Sequence, residues 1–479
     1  MIGSVNFLNP LLTNDETTML EHIDIAEILK VSLKNGGDFA DVFYECVQPT
    51  SIVCEDGKIE KIISGVDVGV GIRVIYNHKT AYAYTNQITN EGLFELADAL
   101  SCVCKGKTFD EDVSFFNKNP AKNNGLNKLT QEVSIDEKVS LVKRANDVAR
   151  SWDDRIKQVK VVYRDSVREV AIANTMGDLI VDHHTGIVFS VQVVAAQNDV
   201  IQTGYEPIGG GFIGLELFEE HPPEKIAEIA SIRAIKMLQA KRAPGGSMPV
   251  VLSSEAGGTM IHEAIGHGLE ADFVETGLSV YTGRIGEEVA SPLVSVVDDA
   301  TLVNKRGSYS FDDEGVRAQR TVLVEQGVLK GYLYDRLTAM KGKTESTGNG
   351  RRESYRSRPI PRMSNTFILS GETSPEEIVR STQTGLFVKR MGGGQVNTVN
   401  GDFVFEISEG YLIENGEIGE AVRGATLTGN GPALLKTIDM VGNDLGFGIG
   451  TCGKDGQGVP VSDAQPTLRI PEIVVGGEV

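Results

Sequence analysis

The chain is expected to be an α+β protein, with an N-terminal mixed α/β, sandwich-like domain and a strand-rich C-terminal domain that carries a histidine-bearing helix. Three observations predict this. Strand-type runs cluster in blocks instead of alternating regularly with helices. Glycine is abundant, at 54 of 479 residues, and punctuates those runs with turns. A turn-rich stretch, Arg242-Ala-Pro-Gly-Gly-Ser247, follows a helical pattern and marks the boundary between domains 1–241 and 242–479.

Residues 21–35 read as a helix ended by Gly36-Gly37. From about 40 to 83 the runs ADVFYECV, TSIVCEDGKIEKII, VGVGIRVIYN and TAYAYT alternate with turns, and Asp56-Gly57 is a hairpin signal. Helical patterns occupy 91–104 and 135–152, two further strand blocks follow, and 224–240 returns to a helical period. The second half is mostly strands and glycine turns, interrupted by helices near 254–272 and 375–382. Gln326-Gly327 and Asn415-Gly416 repeat the hairpin signal there.

The formal net charge is −20 and the sequence pI near 4.9, which argues against direct binding of nucleic acid, since that requires clustered Lys and Arg to displace counterions. The first 29 residues hold no Lys or Arg and include Asp15, Glu16 and Glu21, so the basic start of a secretory peptide is missing. No apolar run approaches a membrane span. Five scattered cysteines (Cys46, Cys54, Cys102, Cys104 and Cys452) suit a reducing interior. The expected location is the cytoplasm.

The chemistry concentrates in MIHEAIGHGLEAD, where His262 and Glu263 are followed by His267. A spacing of four, as in H-E-x-x-H, puts two imidazoles about 40° apart around a regular helix, but a spacing of five opens the angle to about 140°. Two readings follow. Either the histidines face opposite sides, or a distorted turn, with Gly266 easing the distortion, brings them to one ion, and a bulged or interrupted helix is expected here. A metal would need a third ligand. Cys452, within the glycine-rich GFGIGTCGKDGQGVP, is the leading candidate, while Glu270, Asp272 and the acidic run 312–315 are rivals. That run also reads as a turn, and the remaining cysteines read as structural.

IHEAIGHGLEAD resembles the H-E-x-x-x-H signature of the TldD/PmbA family, also called the modulator of DNA gyrase family, and specifically its TldD branch. Further blocks agree in order: YTGRIGEEVASPLVSVVDDATL, GSYSFDDEGVRAQRTVL, STGNGRRESYRSRPIPRMSNTFIL, KRMGGGQVNTVNGDFVFEISEGYLIENGEI, VRGATLTGNGP and GTCGKDGQGVPVSDAQPTLRI. GGDFADVFYE, VCEDGKIE and GVGIRVI extend the likeness more loosely into the N-terminal half. The resemblance implies a zinc metallopeptidase acting on short or unfolded peptides. It assigns His262, His267 and Cys452 as Zn²⁺ ligands and Glu263 as the catalytic glutamate. It also implies a homodimer, or a heterodimer with a PmbA/TldE-like sister subunit, a branch that lacks the histidine motif. The alternative from another class is a non-catalytic scaffold that binds peptides and pairs with such a sister.

Two other stretches invite functional readings. Gly392, Gly393 and Gly394 are followed by a strand-like segment, so a phosphate loop is a poor fit; exposed backbone for an extended peptide is the better one. The basic segment RRESYRSRPIPR over 351–362 is expected to line a cleft or dock a partner.

Overall fold

The structure, a computed structural model, describes residues 22–106, 113–120 and 130–477. Its first sheet is built from residues 39–211 and has eight strands. The long strands Phe39–Glu55, Ile156–Asn174 and Asp178–Gln197 form its centre in antiparallel register. Runs that the sequence separates at Gln48-Pro49 continue as one strand, because Ile156–Asn174 pairs with it without a break from Asp41 to Glu55, through Pro49↔Ser166.

The period of two along these strands sorts the sheet into two unlike faces. One face, with Ile52, Cys54, Val159, Val161, Tyr163, Phe189, Val191 and Val193, packs against helices Ile135–Trp152 and Pro223–Gln239. The same face, further along, carries Ala40, Val42, Tyr44, Ala171 and Ala173 beneath helices Ile25–Ser32 and Asn90–Ser101. Start signals of the expected kind set these helices: Asp24, Thr89 and Ser134 each accept an N-terminal backbone N–H. The expected helix start at Glu21 lies outside the described residues. The opposite face holds Phe43, Val170, Ile172 and Ile180, and it packs against Phe311 and Tyr355 from the second half of the chain. That helix-free face is therefore turned toward the remaining sheets.

Residues 241–476 form those sheets. Strands Gly246–Leu252, Leu468–Gly476, Thr426–Asn430 and Asp402–Glu414 pair in sequence, and Thr384–Val396 pairs with both the first and the last, closing a five-stranded ring. A separate six-stranded sheet ends in the hairpin of Gly446–Lys454 and Gln457–Gln465. All three expected hairpins form, each with positive φ at both turn residues: 49° and 82° at Asp56-Gly57, 47° and 83° at Gln326-Gly327, 55° and 79° at Asn415-Gly416. Asp455-Gly456 makes a fourth such turn, at 51° and 73°.

The acidic run at 312–315 is a turn, as its composition suggests, but its carboxylates are buried and paired. Glu314 receives Arg73 from the first sheet at 2.5 Å, and Asp313 holds Arg168 at 2.9 Å. Most of the basic charge over 351–362 is likewise used internally: Arg352 donates to the Asp313 carbonyl at 2.8 Å, and Arg356 pairs with Asp67 at 2.6 Å. The segment joins the two sheet systems while also bordering a hollow between them.

Candidate metal centre

The interrupted helix expected near 254–272 is present as short turns of different pitch. A single α-turn at Thr259–Ile261 leads into a π turn at His262–Gly266, in which the His267 N–H donates to the His262 carbonyl. Widening to i→i+5 brings a residue five positions on back over the first. The carbonyl freed at Ala264 accepts from the Tyr281 hydroxyl at 3.2 Å. Met260, Ile261, Ile265 and Leu269 anchor this segment in the core of the five-stranded ring, which leaves His262, Glu263 and His267 together on the other side.

Gly266 is present for a different reason than the sequence suggests. Its φ of −55° is ordinary helical backbone, so the wide turn makes no special demand on it. A Cβ there would lie 2.1 Å from the sulfur of the fully buried Met363, so packing requires the glycine. Gly258, just upstream, is pressed against backbone: its Cβ would meet Ala464 N at 2.2 Å. Its N–H donates to Asp463 Oδ1 at 3.2 Å, tying the start of the turn to the cysteine hairpin.

That hairpin brings Cys452 to the histidines. His262 Nε2 lies 3.1 Å and His267 Nε2 3.4 Å from Cys452 Sγ. The ligating atoms of His262, His267 and Cys452 all fall within 4.8 Å of one another, and all three residues are buried. The two rings stand edge to face, with centroids 5.1 Å apart. Two imidazole nitrogens and one sulfur are a donor set that zinc accepts, with a fourth position left for water or substrate. Behind His267, Glu270 Oε2 is 2.9 Å from Nδ1, the kind of carboxylate support that fixes a ligating imidazole. Glu270 is thus a supporting group, and Asp272 is engaged by Lys454 at 2.6 Å. Among the described residues neither of these rivals, nor the run at 312–315, joins the metal-ligand cluster.

The electrostatics follow from burial and from these neighbours. Burial pushes the Cys452 thiol up, but hydrogen bonds and charge from His262 and His267 outweigh it and bring it down to about 5. Burial alone dominates at Cys46, Cys54 and Cys104, whose thiols are raised. Burial disfavours charge on His267 too, yet Glu270 and Cys452 together raise it well above the usual imidazole value. Glu270 itself is destabilised by burial and nonetheless held down to about 2 by Lys454, His267 and Arg362. Glu263 is raised, chiefly because it is desolvated.

Glu263 is half-buried and faces a cavity of ≈ 760 Å³ that His262, His267 and Cys452 also line. Gly392 and Gly393 border the same cavity, whereas Gly394 lies against Phe405, only 1.8 Å from where its Cβ would be. Four residues at the site carry no signal in the sequence, and a fifth, Arg362, is marked there only as part of the basic segment. Thr203, Tyr205 and Pro207 reach the cavity from the helix-free face of the first sheet, and nothing in their local pattern marks them. Asp463 borders it as well, and burial raises its carboxyl. Arg362, at the end of the basic segment, is fully buried and donates to the carbonyl oxygens of Cys452 and Gln457, fixing the hairpin.

Comparison with known proteins gives three consecutive matches to PmbA/TldA metallopeptidases: domain 1 over residues 40–102, the central domain over 128–238 and the C-terminal domain over 245–477. A Haemophilus influenzae protein named metalloprotease TldD homolog is 40% identical, over 98% of this chain and 98% of its own length. The zinc metalloprotease TldD homolog of Saccharolobus solfataricus is 30% identical over 96% of this chain and 100% of its own. The crystal structure of a Thermotoga maritima protein, described as a candidate modulator of a DNA gyrase, matches with a TM-score of 0.77 and 26% identity, covering 91% of this chain and 96% of that one. TldE from Thermococcus kodakarensis shares the fold, with a TM-score of 0.74 at 20% identity over 95% of this chain and 99% of that one.

Proposed function

The chain belongs to the TldD/PmbA family of metallopeptidases, and from that premise we propose that it is a zinc-dependent peptidase acting on short or unfolded peptides. The observation that carries this reading is the convergence of His262 Nε2, His267 Nε2 and Cys452 Sγ beside Glu263 at the floor of one cavity. A zinc ion held by those three side chains would supply a Lewis acid that polarises a carbonyl and lowers the pKa of water. Glu263 takes a proton from the attacking water and delivers it to the departing amine nitrogen.

Two strands with a free edge flank the cavity. Among the described residues, Met391–Val396 within Thr384–Val396 pairs only with Asp402–Glu414, and Gly446–Lys454 pairs only with Gln457–Gln465. An extended peptide adding to such an edge is held through backbone, which favours unfolded substrates over particular side chains, with Gly392, Gly393 and Gly394 as the exposed segment. We propose two domains, residues 1–241 and 242–479, with Thr203, Tyr205 and Pro207 of the first and His262, His267 and Cys452 of the second lining the cavity. We also place the protein in the cytoplasm, on its few scattered cysteines; separately, among the described residues no helix is long and apolar enough to cross a membrane. The active assembly is proposed as a homodimer or a heterodimer with a TldE-like sister, on the strength of family membership and the shared fold of TldE.

Metal analysis together with cleavage of unstructured peptides tests the core of the proposal. One zinc per chain, cleavage lost on chelation and recovered with zinc, is the expected result; cleavage indifferent to a strong chelator would end the metallopeptidase reading. A second measurement concerns Glu270. Glu270→Gln is expected to weaken zinc binding by about 10–100-fold in competition with a chromophoric chelator, because His267 loses its charged support. An unchanged affinity would remove Glu270 from that role.

A further inference from the structure

The metal-centre cavity does not end at the metal centre. Tyr205, Pro207, Ile449, Gly450 and Thr451 border it and also a neighbouring hollow of ≈ 370 Å³. Arg306 borders that hollow and a third one of ≈ 470 Å³. The three abut as one groove, floored by the helix-free face of the first sheet, on which Arg164, Ser166 and Arg168 share a side by strand alternation.

Arginines gather along this groove, and they divide into two groups. Arg168 is paired with Glu45 at 2.5 Å and Asp313 at 2.9 Å, and Arg356 with Asp67 at 2.6 Å. Arg164, Arg306 and Arg351 have no such compensation: among the described residues no carboxylate lies within 4.0 Å of any of them. Arg164 is exposed and has no side-chain partner there at all. Arg306 reaches only the Gly450 carbonyl at 3.1 Å and the Thr451 hydroxyl at 3.4 Å. Arg351 is buried, donates to the carbonyls of Met363 and Pro460 at 2.6 and 2.8 Å, and lies over the Tyr309 ring. Asp165 borders the middle hollow but is already bound to Lys138 at 2.5 Å.

In a chain of net charge −20, three uncompensated guanidiniums around one groove are an exception. Burial lowers Arg306 to about 10, and the charges of Arg351 and Arg164 add to that effect. The guanidinium fork matches a carboxylate better than any other common peptide group.

We infer that the groove recognises a peptide carboxylate, either a C-terminal α-carboxylate or an Asp or Glu side chain, at a basic shelf formed by Arg164, Arg306 and Arg351. The inference rests on the peptidase reading of the adjoining cavity. Arg306 is fixed to Gly450, two residues before Cys452 on the edge strand. At about 3.3 Å per residue, the carboxylate falls about two to four residues from the scissile bond.

Matched peptides test it: free acid against amide at the C-terminus, and Glu against Gln at each position near the cleaved bond. Two readouts are taken, kcat/KM with the parent chain and fluorescence anisotropy with the Glu263→Gln chain. The acidic member of a pair is expected to be favoured by about 10-fold in both, the scale of a hydrogen bond to a charged group. The ratio should shrink to about threefold or less in Arg306→Gln and in Arg164→Gln, and also as salt rises from about 50 to about 500 mM. A ratio confined to acid against amide assigns the α-carboxylate, and one confined to Glu against Gln assigns a side chain. Equal treatment of acidic and neutral peptides in both readouts would overturn the inference and leave the peptidase reading standing. If no peptide is cleaved, that reading falls instead, and the anisotropy ratio still decides the shelf.

Discussion

Glutamine at position 263 is expected to lower kcat for peptide cleavage by about 10²–10⁴-fold, with zinc content and unfolding midpoint left as in the parent chain. The geometry makes this a clean substitution. Glu263 projects into the cavity from the π turn between two buried histidines, and among the described residues its carboxylate has no hydrogen-bond partner to lose. Glutamine fills the same volume and can still orient a water, but it cannot accept the water's proton or return it to the amine. The loss should therefore fall on kcat, with KM nearly unchanged, which is the signature of an interaction realised in the transition state. Single-turnover cleavage with metal analysis of the same sample is the measurement. Cleavage equal to the parent's would move the base elsewhere. A parent chain that binds peptides and cleaves none would favour the scaffold reading.

Legibility in the sequence varied with the range of the interactions concerned. The helices at Ile135–Trp152 and Pro223–Gln239 and the three Gly-containing hairpins were readable because caps, period and turn chemistry are local. The hairpin at Asn77-His78 was not, since it reaches φ of 48° and 58° without a glycine. The π turn was foreshadowed by the five-residue spacing of the histidines, which a regular helix cannot bring to one ion. The reason for Gly266 was misjudged, because its contact with Met363 is nearly a hundred residues away in sequence and no local rule signals it. The same limit hid Thr203, Tyr205 and Asp463, which are ordinary strand residues until the chain is folded. The basic segment over 351–362 is a mixed case: its charge was conspicuous, but only the fold shows that Arg352, 3.9 Å from Asp41, and Arg356, paired with Asp67, face carboxylates while Arg351 reaches carbonyl oxygens.

Replacing Cys452 with serine is expected to weaken zinc binding by at least about 100-fold. Loss of a supporting hydrogen bond to a ligand already costs about 10–100-fold, and here a donor atom itself is removed. Serine keeps the size of the side chain but offers a hard oxygen that stays protonated, where the thiol at this position is brought down to about 5 against the cost of burial. The fold should not suffer. Cys452 pairs in register with Val459, and its carbonyl accepts from the buried Arg362, so the backbone position does not depend on sulfur. Zinc per chain after dialysis against a weak chelator, with circular dichroism on the same material, separates metal loss from unfolding. If the serine chain retained zinc as the parent does, the third ligand would have to come from another group on this cavity. Asp463 would then be the residue to substitute next. It sits on the partner strand of the same hairpin, and its carboxyl is desolvated and interacts with His262. Its Oδ1 already holds the Gly258 N–H, so recruiting it as a ligand would release the start of the turn that carries His262. Cys452 can bind with no such rearrangement, which is the physical reason to expect that it, and not Asp463, completes the site.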